Sequence, residues 1–195
     1  MRPANTTPPG SRRYGPLAAR SAGAPRPLAT PVLRWNTDLG PAVRAVAWLP
    51  DHSAVLGLTI AGQLVRLNAA DGSPAWDAGP SAGGALCLGV CPTAPIVATG
   101  HLDGSLRLRN AHTGKIVAQH RLGRAWVEHL SWSPDGRLLA AACGADLHLL
   151  DEVGQPHGVF RPAAAGITAL HWMANSCCLA VGTATGQVAL ISTSA

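Results

Sequence analysis

From residue 43 onward the chain alternates short apolar runs with polar, glycine-bearing turns, and the alternation recurs. Val46 and Trp48 lie two apart, as do Leu88 and Val90, Leu130 and Trp132, and Leu170 and Trp172. Residues two apart share one face of an extended strand, so each pair marks one face of a short β-strand. Pro50, Pro92 and Pro134 follow the first three runs by two residues. In Ser133-Pro134-Asp135-Gly136 the proline presets φ for a chain reversal and Gly136 tolerates positive φ. A second apolar strand comes next, then a tight turn, then an alternating strand led by Leu64, Leu106, Leu147 or Val188.

The second strand of the third row, Arg137–Gly144, is rich in alanine and by propensity alone would suit a helix. It is short, bounded by turn signals, and its counterparts in the other rows read as strands, so it is predicted as a strand. The rows superpose at a spacing of about 42 residues, near 41–80, 81–123, 124–162 and 163–195. A period in the low forties assembled from short strands predicts an all-β protein of β-propeller type, each repeat supplying most of one four-stranded blade.

Two stretches carry a family resemblance. Trp132-Ser133-Pro134-Asp135-Gly136-Arg137-Leu138-Leu139-Ala140 and Thr99-Gly100-His101-Leu102-Asp103-Gly104-Ser105-Leu106-Arg107-Leu108 resemble the WD-repeat (tryptophan–aspartate repeat) propellers. The resemblance spans roughly residues 32–195 at the level of fold. It places Asp103 at the family's structural aspartate between the second and third strands, and Thr99 at the Ser/Thr of the same hydrogen-bonded network. The family's Trp-Asp pair is replaced by Leu67-Asn68, Arg109-Asn110, Leu150-Asp151 and Ile191-Ser192, and the Gly-His pair that opens a repeat is missing. The network that stiffens standard blades is therefore expected to be largely absent.

Counting strands against the period changes the picture. The chain has 195 residues, ample for one core but short of seven blades at about forty residues each. Val32–Trp35 is predicted as an outer strand, followed by three whole blades and a fourth that lacks its outer strand. Three arrangements fit: a fragment, a half-ring completed by self-association with a second copy, or a four-bladed ring closed by the Val32–Trp35 strand. An open half-ring leaves strand edges and apolar blade faces unpaired.

Charge separates an N-terminal tail from the rest. Residues 1–37 hold six Arg and no acidic residue, whereas the remainder carries nine basic and ten acidic side chains. The Arg/Pro/Ala-rich segment 1–30 is predicted to be disordered. It reads as a generic extension, as an organelle transit peptide, or as an arm for nucleic acid or another acidic partner. No run of eighteen apolar residues and no secretory apolar core occurs, which predicts no membrane partner and a cytoplasmic location. A plastid or mitochondrion is the alternative if the tail is a transit peptide. The five cysteines, an odd number, read as free thiols. Cys87 and Cys91 point to one face of a strand about 13 Å apart, too far to share a disulfide or a metal.

Candidate chemistry is sparse. The eight His show no metal-ligand spacing, and neither a Gly-x-Ser-x-Gly elbow nor a phosphate-binding glycine loop is present. No catalytic residue, cofactor or metal is predicted, and Arg107 and Arg109 read as a solvated row. In a propeller, loops joining outer to inner strands share a face with those joining second to third strands. That places Arg124, Trp126, Glu128 and His129 beside His101 and Asp103 of the preceding blade, an aromatic among mixed charges of the kind protein interfaces use. The expected function is a non-catalytic protein-interaction scaffold. Association of the basic tail with nucleic acid or an acidic partner is the alternative.

Overall fold

The computed structural model describes residues 30–81 and 83–193, and Arg34 onward forms one compact unit. The predicted tail, 1–30, lies almost wholly outside the described residues. Fifteen strands make four antiparallel sheets in chain order. The first blade holds β1 (Val43–Trp48), β2 (Ala54–Thr59), β3 (Leu64–Asn68) and β4 (Pro74–Asp77). The second holds β5 (Ala85–Val90), β6 (Ile96–His101), β7 (Ser105–Asn110) and β8 (Ile116–Arg121). The third holds β9 (Val127–Trp132), β10 (Leu138–Cys143), β11 (Asp146–Asp151) and β12 (Pro156–Phe160). The fourth has three strands, β13 (Ile167–Trp172), β14 (Cys178–Thr183) and β15 (Val188–Ser192). The alanine-rich run is β10, as its register with the other rows requires.

The blades are copies in register as well as in order. In each, the pairing of first and second strands slips by one residue at the same end: between Val43 and Ala45, Ala85 and Cys87, Ala142 and Cys143, and Ile167 and Ala169. A bulge at the same place in every blade bends each inner strand alike. The first strands pack in series, β1 on β5, β5 on β9 and β9 on β13. No comparable packing of β13 against β1 exists among the described residues. The four blades form an arc.

Three apolar layers lie between neighbouring blades. Leu56, Leu58 and Leu64 of the first blade pack with Ala85 and Val97 of the second. Leu106 and Leu108 meet Val127 and Leu139, and Leu147 and Leu149 meet Trp172, Leu179 and Val181. Each fully buried Leu contributes about 1.5–3 kcal/mol of burial free energy. Strands β2, β6 and β10 are buried along most of their length. Strand β14 alternates, with only Leu179, Val181 and Thr183 buried.

Tryptophans tie one blade to the next through indole N–H groups that would otherwise lack partners. Trp172 Nε1 donates to Ser131 O at 2.9 Å and Trp76 Nε1 to Ala111 O at 3.1 Å. The Trp76 ring lies over Gly114, where φ is +71° and a Cβ would meet the indole. Trp35 repeats this arrangement on the first blade, its Nε1 donating to Ala69 O at 2.9 Å and its ring lying over Gly72, where φ is +73°.

That observation corrects one expectation. Val32–Trp35 forms no strand. A strand needs a neighbour to pair with its backbone, and the segment is instead fixed by Trp35 and by Thr37 Oγ1, which donates to Gly72 O at 2.8 Å. Arg107 and Arg109 also differ from a solvated row. Both are half-buried, with Arg107 bonded to Ser81 Oγ and Arg109 Nη1 donating to Gly114 O at 2.8 Å.

Leu139 is fully buried between the second and third blades. Leu139→Ala is expected to lower unfolding free energy by about 2–5 kcal/mol in urea titration. Val117→Ala, on the exposed outer strand β8, is expected to change it by less than about 0.5 kcal/mol. Equal losses at the two positions would show that blade-to-blade packing is not what holds the fold.

Candidate functional site

The turn after β6 and the loop between β8 and β9 emerge on one face and touch. Leu122 N donates to Gly104 O at 2.9 Å. The carbonyls of Gly123 and Ala125 crowd the Cα of Gly104, where φ is +79°, so that only glycine fits there. Cys143 Sγ donates to Ala125 O at 3.2 Å and Gly144 N to Trp126 O at 3.3 Å. The backbone before and at Trp126 is thus held from both neighbouring elements, while its side chain is 54% exposed.

Of the residues singled out from sequence, Arg124, Trp126 and Glu128 are exposed, and Asp103 and His129 are half-buried. Asp103 Oδ1 accepts from Ser105 Oγ at 2.6 Å and from Ser105 N at 3.0 Å. The Ser105 hydroxyl and then its amide hold the Asp103 carboxyl below the usual carboxylate range. The Asp103 carboxylate lies beside the Cα of Gly83, and the Leu102 side chain lies beside that of Gly84.

His101 is a correction. It is 2% exposed and unavailable to a partner. Its Nδ1 donates to Gly84 O at 2.9 Å, which leaves Nε2 to accept from Thr99 Oγ1 at 3.0 Å. Burial, assisted by the positive Arg107, depresses its pKa to about 4, so the ring is neutral near pH 7. Thr99, His101, Ser81 and Arg107 form a local polar network that fixes the base of the Leu102–Gly104 turn. The family's usual opening Gly-His and strand Trp do not take part in it.

Sequence reasoning missed two residues of this face. Leu102 is exposed directly before the Asp-Gly turn, an apolar residue at a loop tip. Arg44, on β1, donates through Nε to Leu86 O at 2.9 Å. Arg44 and Glu128 both act electrostatically on Cys87, whose thiol pKa burial pushes up to about 12. Cys87 Sγ donates to Val127 O and Cys91 Sγ to Gly136 O, so both point to the third blade, as their spacing indicates.

On the opposite face, Asp135, Arg137, Asp151, Glu152 and His157 border a cleft between the third and fourth blades. Its aspartates are engaged in turns. Asp135 Oδ1 accepts from Ser133 Oγ at 2.6 Å, and Asp151 Oδ1 accepts from Gln155 N at 2.7 Å and Val153 N at 3.0 Å. Such carboxylates shape their turns.

The His101 environment sets a pH dependence. In the unfolded chain its imidazole takes up a proton below about pH 6.5, whereas in the fold it does so only near pH 4. Its contribution to stability is present above about pH 6.5 and is lost as pH falls towards 4. Thermal melts between pH 7.5 and 4 are expected to show this loss, with a shallower slope in His101→Asn; an unchanged slope would contradict a neutral buried ring.

Residues 114–149 match the WD40 family, described as WD domain, G-beta repeat, and they span β8 to β11. No curated protein matches the chain. Among solved structures, the chain resembles the computationally designed Ika4 protein with a TM-score of 0.75 at 15% identity, over 85% of this chain and 100% of that one. It also resembles the computationally designed Ika8 protein with a TM-score of 0.68 at 17% identity, over 77% of this chain and 46% of that one. Identities this low speak to the fold alone. Residues 114–149 carry a WD40 repeat, and the four antiparallel sheets resemble in fold those of the designed proteins.

Proposed function

We propose that this protein is a non-catalytic interaction scaffold that presents Trp126, Arg124 and Glu128, flanked by Leu102 and Asp103, to a protein partner. One observation carries the reading: a large aromatic side chain stands in solvent on a backbone anchored by Cys143, Gly144 and the crowded Gly104. Holding the backbone lowers the ordering cost of binding, and an exposed indole among charges of both signs is the composition of interface hot spots. WD40 repeat domains serve generally as protein-interaction scaffolds, which agrees with this reading. Arg124 and Glu128 give the patch both signs of charge, so it suits a partner surface with an apolar centre and a mixed polar rim rather than a polyanion.

The test is site-specific photo-crosslinking in the source cells. A benzophenone side chain at position 126 is expected to give discrete protein adducts. The same group at position 117, on the exposed outer strand β8, is expected to give none. Arg124→Glu combined with Glu128→Lys is expected to remove the adducts without lowering the melting temperature. Equal adducts at 117 and 126, or adducts that survive the charge reversal, would overturn the assignment.

A further inference from the structure

The turn between β13 and β14 gathers three sulfur atoms. Cys177 Sγ lies 3.6 Å from Met173 Sδ and 3.6 Å from Cys178 Sγ. The chain holds five Cys and two Met, so three of its seven sulfur-bearing residues fall within the six positions from Met173 to Cys178. Both cysteines are free thiols.

The backbone does not require them. The first blade makes the same turn between β1 and β2 without any sulfur. There Leu49 N donates to Ala54 O at 3.0 Å and His52 N to Leu49 O at 2.9 Å. In the fourth blade Met173 N donates to Cys178 O at 2.8 Å and Ser176 N to Met173 O at 2.9 Å. Ser53 N donates to Asp51 Oδ1, as Cys177 N does to Asn175 Oδ1. His52 and Ser176 take nearly the same positive φ, 57° and 63°. Leu49, Ser53 and Ala54 therefore stand where Met173, Cys177 and Cys178 stand, and the turn closes with either set. The hairpin geometry explains the turn and leaves the three sulfurs without a structural reason.

Their arrangement suits a metal ion. Three sulfurs each about 2.3 Å from a metal, the length of a zinc–thiolate bond, lie about 4 Å apart in a trigonal plane. Separations of 3.6 Å need little adjustment to reach that. Thiolate and thioether are soft ligands of the kind that hold copper(I). Zinc takes four ligands from Cys, His and carboxylates. No three His, Cys, Asp or Glu side chains come together to hold a metal among the described residues, so zinc finds no set here. The hairpin is also held in place. Asp135 N of the third blade donates to Ser176 Oγ at 3.0 Å, and Thr193 donates through N to Cys177 O and through Oγ1 to Ser176 O, both at 3.0 Å. Cys177 sits at the turn tip. In its place the other three blades carry Ser53, Pro95 and Arg137, all exposed, so solvent reaches this end of the hairpin in every blade.

We propose that Met173, Cys177 and Cys178 form a copper(I) site. Binding releases both thiol protons to solvent, and two thiolates with one thioether leave the occupied site with a single net negative charge. Affinity therefore rises with pH. The site lies on the face opposite Trp126 and stands independently of the scaffold reading.

Anaerobic titration of the reduced full chain with copper(I), in competition with the chelator bicinchoninate, tests the proposal. One ion per chain is expected, with three sulfur neighbours at about 2.3 Å in X-ray absorption. The first blade supplies the substitutions: Met173→Leu, Cys177→Ser and Cys178→Ala. Losing even a partner of a metal ligand costs about 10–100-fold in affinity, so the two cysteine changes, which remove ligands, are expected to cost at least that much. Met173→Leu is expected to weaken binding less and to leave two sulfur neighbours. Cys87, Cys91 and Cys143 remain in every variant, so the loss reports on this turn. Melting temperatures are expected to stay at the parent's, because the replacements already serve the equivalent turn; should one fall, the absorption spectrum of the parent chain decides the ligand set. No bound copper, binding indifferent to Cys177→Ser, three sulfur neighbours persisting in Met173→Leu, or zinc(II) held more tightly than copper(I) would each overturn the proposal.

Discussion

A four-stranded twisted sheet of short strands cannot bury its own faces, and every feature of this protein follows from that. Each blade has two apolar faces and can hide them only against other blades. Leu106, Leu108 and Leu139 are completely buried because two blades converge on them, whereas Val188 and Leu190, of the same character, stand exposed because no blade among the described residues faces them. The Trp–carbonyl bonds from Trp76 and Trp172 cross two of the same junctions. Polar loops then carry whatever chemistry the surface offers, held at fixed spacing by the packed layers beneath.

The repeat made most of this legible in the sequence. Pairs such as Leu130/Trp132 and Leu170/Trp172 marked first strands, and Ser133-Pro134-Asp135-Gly136 marked the following turn. Register carried the alanine-rich β10 past its helical propensity, since Ala140–Ala142 lie buried on a strand between two blades. Shared-face reasoning also worked at the loops: the turn at Asp103 and the loop at Trp126 touch through Leu122 and Gly104.

What the sequence hid depended on partners distant in the chain. Trp35 looked like part of a strand because its neighbours are apolar. Strand formation requires a second backbone alongside, and Trp35 finds an anchor at Ala69 and Gly72 instead. His101 looked like a loop residue. It lies at the end of a strand buried along most of its length, and its two ring nitrogens are engaged by Thr99 and Gly84. Nothing in a residue's own neighbourhood reveals whether a carbonyl seventeen positions away will accept its proton. Arg107 and Arg109 misled for the same reason, since their acceptors, Ser81 and Gly114, lie across a blade or around a turn.

The central claim is that a blade of this protein becomes stable only when both its faces are covered. Hydrogen exchange followed by mass spectrometry addresses it directly. Peptides covering β9–β11 lie between two blades, and their protection is expected to be the highest in the chain. Peptides covering β1 and β15, whose side chains are largely exposed, are expected to exchange faster. Protection of β1 and β15 that equals that of β9–β11 would contradict the claim.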